Sequence, residues 1–188
     1  MKVRDKSLII GITGAFGSGK STAAQYFETK GLRKITLSFF LEEEARKRGI
    51  KKITRKILQD IGNEWREKFG RGVLAKKALE YLAKNKIEKA VIDGIRNIGE
   101  VDEFSARKKF LLLAIIANRK VRFERVKKKK GRESLTLELF KKLDSRDLGV
   151  GEKLTGLQGA YCIAMADVFI SNNRDKKYFI NKLKKFFK

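Results

Sequence analysis

Gly14-Ala15-Phe16-Gly17-Ser18-Gly19-Lys20-Ser21 fits the phosphate-binding loop pattern G-x-x-x-x-G-K-S/T and directly follows the apolar run Leu8-Ile9-Ile10-Gly11-Ile12-Thr13. Glycines at 14, 17 and 19 let the backbone turn so that successive N–H groups point inward at an anion, with the next helix N-terminus adding partial positive charge. In such a loop Lys20 reaches the β- and γ-phosphates and the Ser21 hydroxyl ligates Mg²⁺. Gly14, Ala15, Phe16, Gly17, Ser18, Gly19, Lys20, Ser21 and Thr22 are therefore the candidate nucleotide-binding residues. The flanks agree with the motif: Leu8 to Thr13 reads as a strand, and Ser21 to Glu28 as a helix stopped by Gly31.

Downstream, strand and helix patterns alternate. A strand is expected over Arg33 to Leu37 and a short helix over Leu41 to Arg48, ended by Gly49. Thr54 caps a long helix with Ile57, Leu58, Ile61, Trp65 and Phe69 at helical spacing. Its polar face carries Arg55, Gln59, Asn63 and Arg66, with Arg71 just beyond; these are either solvated or phosphate-handling. A helix from Gly72 to Lys84 leads into the strand Lys89-Ala90-Val91-Ile92-Asp93. Asp93 ends an apolar strand before a glycine, so its carboxylate is expected at the sheet's C-terminal edge, as a Mg²⁺-water ligand or as a solvated turn residue.

A helix around 99–108 and a buried-type strand over Phe110 to Ile116 follow, and then a basic helix from Arg119 to Lys130. The stretch 119–147 reads as an excursion that serves as a lid. A helix over Leu157 to Ala166, a strand over Asp167 to Asn172 and a final helix capped by Asp175, with Tyr178, Phe179, Leu183 and Phe186 inward, complete the chain. This alternation predicts one α/β domain over 1–188, a three-layer α/β/α P-loop NTPase fold with a five-stranded parallel sheet and a small helical lid.

Composition narrows the chemistry. No apolar run approaches the ~20 residues of a membrane span, and Met1 to Lys6 leads straight into a strand, so a cytoplasmic location is expected. Cys162 is the only cysteine and histidine is absent, which excludes an internal disulfide and the common zinc sets; a metal would be oxygen-bound, such as Mg²⁺. Lys+Arg of 46 against Asp+Glu of 22 gives a net charge of +24, fitting polyanionic partners or many bound phosphates. The basic runs lack the interleaved aromatic residues of a base-stacking surface, so nucleic acid is possible as a partner but not favoured.

Ile92-Asp93-Gly94-Ile95-Arg96 resembles the Asp-Gly-Phe-Pro-Arg segment of adenylate kinase and other nucleoside monophosphate kinases, without the proline. The resemblance implies that Asp93 lies near Mg²⁺ and that Arg96 holds an acceptor phosphate. Phe123-Glu124-Arg125-Val126 looks like the helix entering that family's lid and Asp144-Ser145-Arg146-Asp147 like its return, which makes Arg125, Arg132 and Arg146 the candidates for stabilising the transferring phosphoryl group. The opening through Thr22 is also similar to dephospho-coenzyme A kinase, and Thr54 to Arg66 with Gly70-Arg71-Gly72 to a group of kinase-like proteins, some fused to deoxycytidylate-deaminase-type domains.

One segment departs from the pattern. Where such proteins read Leu-Ser-Asp and then an arginine, this chain has Leu37-Ser38-Phe39-Phe40-Leu41-Glu42. Either acceptor recognition rests on Arg55, Arg66, Arg71 and Arg96, or the acceptor is unusual, or the kinase activity is lost. The resemblance implies ATP and Mg²⁺ as cofactors and phosphoryl transfer to a nucleoside or deoxynucleoside monophosphate. A hydroxyl acceptor as in dephospho-coenzyme A kinase, and a nucleotide-dependent switch or ATPase acting with nucleic acid, are the alternatives.

Overall fold

In the computed structural model, which describes residues 8–107, 109–128 and 135–187, β1 (Leu8–Thr13) runs through the middle of a sheet ordered β2-β3-β1-β4-β5, with every pairing parallel. Its neighbours are β3 (Lys89–Asp93) and β4 (Phe110–Ile116), flanked by β2 (Arg33–Thr36) and β5 (Val168–Ser171). These strands carry β-branched and aromatic residues on both faces, as strands covered from both sides require. Parallel neighbours need crossovers, which the helices supply. In chain order they are α1 (Lys20–Glu28), α2 (Leu37–Lys47), α3 (Arg55–Phe69), α4 (Val73–Lys84), α5 (Ile98–Ser105), α6 (Arg119–Lys128), α7 (Leu137–Leu148), α8 (Gly159–Ala164) and α9 (Lys176–Phe186).

Alternate strand residues feed two cores. Ile9, Ala90, Ile92 and Leu112 pack with α2 to α5 and α8, while Ile10, Ile12, Val91, Leu113 and Ile115 pack with α1 and α9. The period-two side-chain alternation of a strand separates the layers. Gly11 is required at the centre, because a Cβ there would meet Ile95 and the Phe110 ring at 2.6 and 2.7 Å.

Thr54 Oγ1 accepts from Ile57 N at 3.3 Å to start α3, and Asp175 Oδ1 accepts from Tyr178 N at 2.9 Å to start α9. Two expectations are corrected. α2 begins at Leu37 with no loop after β2, four residues before the expected start, because Leu37 and Leu41 are buried one turn apart and draw the whole segment onto the core. Tyr178 does not face inward: it is exposed, under the cations of Arg174 and Lys182, while Phe179 and Leu183 take the buried face.

Register aligns the carboxyl ends of the strands. Ile12 and Thr36 both lie opposite Asp93, and Thr13 lies opposite Ala114. The chain visits β2 and β3 on one side of β1 and then crosses to β4, so the sheet's direction of build reverses beside β1, where open α/β sheets form a crevice. The excursion between β4 and β5 is carried by α6 and α7; α7 buries Phe140 and Leu143.

Candidate functional site

A cleft of about 630 Å³ opens at this edge, with Phe16, Gly17, Gly19, Lys20, Ser21 and Thr22 on one wall. Gly14, Gly17 and Gly19 have φ of 140°, 79° and 108°, a region L side chains avoid. A Cβ at Gly14 would also collide with the Ile115 carbonyl, and one at Gly19 with the Asn172 amide. The loop is therefore a backbone cradle leading into α1 at Lys20. The Lys20 ammonium folds back on it, donating to the carbonyls of Gly14 at 2.5 Å and Ala15 at 3.0 Å. Burial, then the neighbouring Arg96, pull its pKa down from 10.5 to about 8.

Residues outside the motif brace the loop. Arg122, buried on α6, donates to the Phe16 carbonyl at 2.9 Å and to Ala117 O at 3.1 Å, and clamps the buried Asp144 of α7 through both carboxylate oxygens. Asn172, just after β5, donates to Ser18 O at 2.8 Å and accepts from Arg125 at 3.2 Å. The Phe16 ring stacks on Phe140 at 5.8 Å, and the Arg55 guanidinium lies 3.9 Å from its centroid.

Asp93, Arg96 and Arg55 also line the cleft, Arg55 against the Phe16 ring, and Asp147 is buried against the two arginines. Gly94 N and Ile95 N both donate to Ile12 O, at 3.1 and 3.2 Å, so the chain turns sharply after β3 and leaves the buried Asp93 at the cleft. Arg55 donates to Asp147 Oδ1 at 2.9 Å. Arg96 Nε is 3.1 Å from the same oxygen but off the line a hydrogen bond needs, and is buried without a hydrogen-bond acceptor among the described residues. Burial pushes the Asp147 carboxyl up, but Arg55, Arg96 and Lys20 outweigh it and hold its pKa at about 2. Three cations thus converge around one fully buried carboxylate.

Arg96 owes its position to a buried relay. Arg66 on α3 donates to Glu100 Oε1 from Nε and Nη2, at 2.9 and 2.7 Å. Glu100 Oε2 in turn accepts from Arg96 N at 2.8 Å and Asn97 N at 3.2 Å. With Arg66 at 2% exposure and Glu100 at 0%, this pair is internal structure.

Of the residues selected from the sequence, Lys20, Ser21, Asp93, Arg55, Arg96 and Arg125 meet at the cleft. Gly14, Ala15 and Ser18 form the back of the loop. Arg66 and Arg71 do not line the cleft: Arg66 serves Glu100, and Arg71 is exposed beside Gly99. Arg146 is also elsewhere, paired with Asp60 at 2.6 Å and Glu152 at 2.5 Å. Arg132 lies outside the described residues.

Asp147, the Arg122–Asp144 clamp and Asn172 were missed as site residues. Phe140, Leu143, Asp144 and Asp147 share one helical face, and that spacing was the available signal: it buries both aspartates and turns Arg146 away. Phe39 is exposed and Phe40 packs against the core, so the residues α2 presents to the cleft are Ser38 and Glu42.

Ser21 and Asp93 both line the cleft with Lys20, a hydroxyl and a carboxylate suited to Mg²⁺, which keeps several waters and takes the rest of its shell from phosphates. No group of three or more His, Cys, Asp or Glu side chains that could hold a metal by themselves occurs among the described residues. No helix among them is long and apolar enough to cross a membrane.

Comparison with known proteins agrees with this architecture. A family model described as AAA domain matches residues 10–144. A UPF0200 protein of Methanocaldococcus jannaschii is 33% identical over 180 residues, covering 94% of this chain and 87% of its own. Among solved structures, a shikimate kinase from Acinetobacter baumannii superposes with a TM-score of 0.56 at 15% identity, covering 98% of this chain and 93% of that one. A dephospho-CoA kinase from Campylobacter jejuni superposes with 0.51 at 18% identity, over 95% and 94%. At these identities the structures establish a P-loop kinase-like fold.

Proposed function

We propose that this chain, which belongs to the UPF0200 family and carries its AAA-type P-loop domain, is a kinase that transfers a phosphoryl group from Mg-ATP to a phosphate-bearing small molecule, a nucleoside or deoxynucleoside monophosphate. The observation that carries this is the convergence of Lys20, Arg55 and Arg96 around Asp147 beside the phosphate cradle. Lys20, Arg55 and Arg96 against the buried carboxylates of Asp147 and Asp93 leave a positive surplus that an anion entering the cleft would balance. Guanidinium groups also match the planar geometry of phosphate oxygens.

The chemistry asks for placement and charge neutralisation. The cradle N–H groups and Lys20 would hold the donor's β- and γ-phosphates, and Arg55 and Arg96 the acceptor phosphate. Ser21 and Asp93 would hold Mg²⁺, which when bound would supply positive charge to neutralise the donor phosphates. An acceptor phosphate is already a nucleophile near neutral pH, so no general base is needed. A buried Asp93 at the cleft also suits a hydroxyl acceptor, from which it would take the proton, as in a dephospho-coenzyme A kinase-like reaction.

A screen of nucleoside monophosphates and dephospho-coenzyme A with Mg-ATP, scored for ADP and for phosphorylated acceptor, tests the proposal. Transfer to a monophosphate that is impaired in Arg96→Lys supports it. Transfer only to dephospho-coenzyme A selects the second reading. ADP formation that no acceptor accelerates refutes both, leaving an ATPase or switch.

A further inference from the structure

The phosphate loop contains a turn whose central peptide has two orientations open to it. Ser18 N donates to Ala15 O at 3.1 Å, and Gly17, the third residue of that turn, has a φ of 79°, the value of a type II turn. Rotating the Phe16–Gly17 peptide plane by about 180° converts type II to type I with the neighbouring residues in place, and glycine accepts the φ of either form. The two forms differ at the cleft that Gly17 lines. A trans peptide points its C=O and N–H in opposite directions, so one form offers a phosphate the Gly17 donor and the other the Phe16 lone pairs. What selects between them stands outside the motif. Arg122 Nη1 donates to Phe16 O at 2.9 Å from a buried position that does not line the cleft.

We propose that Arg122 is a positioning residue for the nucleotide's phosphates: it holds the Phe16 carbonyl away from the cleft and so turns the Gly17 N–H toward them. This rests on the reading of Gly14 to Ser21 as the cradle of a nucleotide. The guanidinium is itself fixed on every side. Its Nε donates to Ala117 O at 3.1 Å, and Nη1 and Nη2 donate to the two oxygens of the fully buried Asp144. Asp144 therefore sets the orientation of Arg122 as well as balancing its charge, and a lysine ammonium cannot reproduce a planar fork that serves a carboxylate and a carbonyl at once. The Ser18–Gly19 peptide is held by the same device: Asn172 donates to Ser18 O at 2.8 Å, and Gly19 too has a positive φ, 108°. Without Arg122 the peptide is released to the form whose carbonyl dipole opposes a phosphate, so the loss in affinity exceeds that of one missing contact.

The test uses the full chain and Mg-ADP as the probe, with two readouts: Kd by titration calorimetry, and the Gly17 amide in proton–nitrogen correlation spectra. An amide that donates to a phosphate moves downfield, so the Gly17 proton should do so when Mg-ADP binds the wild type. Arg122→Met combined with Asp144→Leu removes both charges, so that neither is left buried alone. In this double variant Kd should rise about 10-fold or more and the downfield shift should vanish. Arg122→Lys should raise Kd about 3-fold or more; thermal unfolding establishes that each variant is folded at the assay temperature, and if the double variant is not, Arg122→Lys decides on the same two readouts. A Kd within about 2-fold of wild type overturns the proposal. So does weakened binding with the Gly17 shift retained, which reduces Arg122 to a support of the fold, and so does a wild-type Gly17 amide that Mg-ADP leaves unmoved. If the wild type binds Mg-ADP and the variants behave as expected but no acceptor is phosphorylated, the positioning role stands and the kinase reading falls; a wild type that does not bind Mg-ADP removes both.

Discussion

Replacing Asp147 by asparagine removes the one carboxylate that Arg55, Arg96 and Lys20 share, while keeping its shape. The carboxyl is carried from an ordinary 3.8 down to about 2, which at about 1.4 kcal/mol per pKa unit corresponds to roughly 2.5 kcal/mol of native-state stabilisation at neutral pH. Removing one member of a buried charge set typically costs ~3–5 kcal/mol, because the remaining charges stay buried without a partner. A loss near 3 kcal/mol satisfies both figures. For a chain of 188 residues, ~2–4 °C per kcal/mol gives a Tm lowered by about 6–12 °C.

The sign with pH follows from the depressed pKa. The stabilisation is complete above the unfolded value of 3.8 and is lost as pH falls through about 2, so the gap between wild type and variant should close on acidification across that window. Inorganic phosphate should raise the variant's Tm more than the wild type's, since an anion binding the three cations replaces the missing carboxylate and stabilises by mass action. Thermal unfolding followed by circular dichroism, at neutral and acidic pH with and without phosphate, measures all of this. A gap below about 2 °C, or one that phosphate leaves unchanged, would refute the argument that Asp147 balances an anion-binding set.

Lys20→Ala should remove most turnover with the fold intact, and near-wild-type turnover would sink the assignment of the cradle. With its pKa lowered to about 8, Lys20 is about half neutral at pH 8, and phosphates should restore its proton; titration calorimetry of an ATP analogue at that pH, in buffers of different ionisation enthalpy, should register proton uptake that vanishes in Lys20→Ala. Arg66→Leu should cost about 3–5 kcal/mol in denaturant unfolding by stranding the buried Glu100, a penalty that added phosphate does not relieve. If the +24 charge serves a polynucleotide, affinity should be high near 150 mM salt; we expect weak binding that falls steeply between about 50 and 200 mM.

What the sequence determined by itself was the frame. Gly14 to Ser21 between an apolar strand and a helix specified the cradle, and the alternation of patterns specified five parallel strands, because local propensity and side-chain periodicity act within a few residues of chain. The strands at 8–13, 89–93 and 110–116 begin and end where the sequence places them, and Asp93 and Arg96 line the cleft at the end of β3. Partner choice was decided only by the tertiary structure. Arginines at 55, 66 and 146 look alike in the chain, yet one faces the cleft, one holds Glu100 inside the core and one pairs with Asp60 and Glu152, since each guanidinium goes to whichever carboxylate the packing of α3, α5 and α7 brings within reach. Asp147 acquires its meaning the same way: 92 residues separate it from Arg55, and nothing local to either residue encodes their meeting.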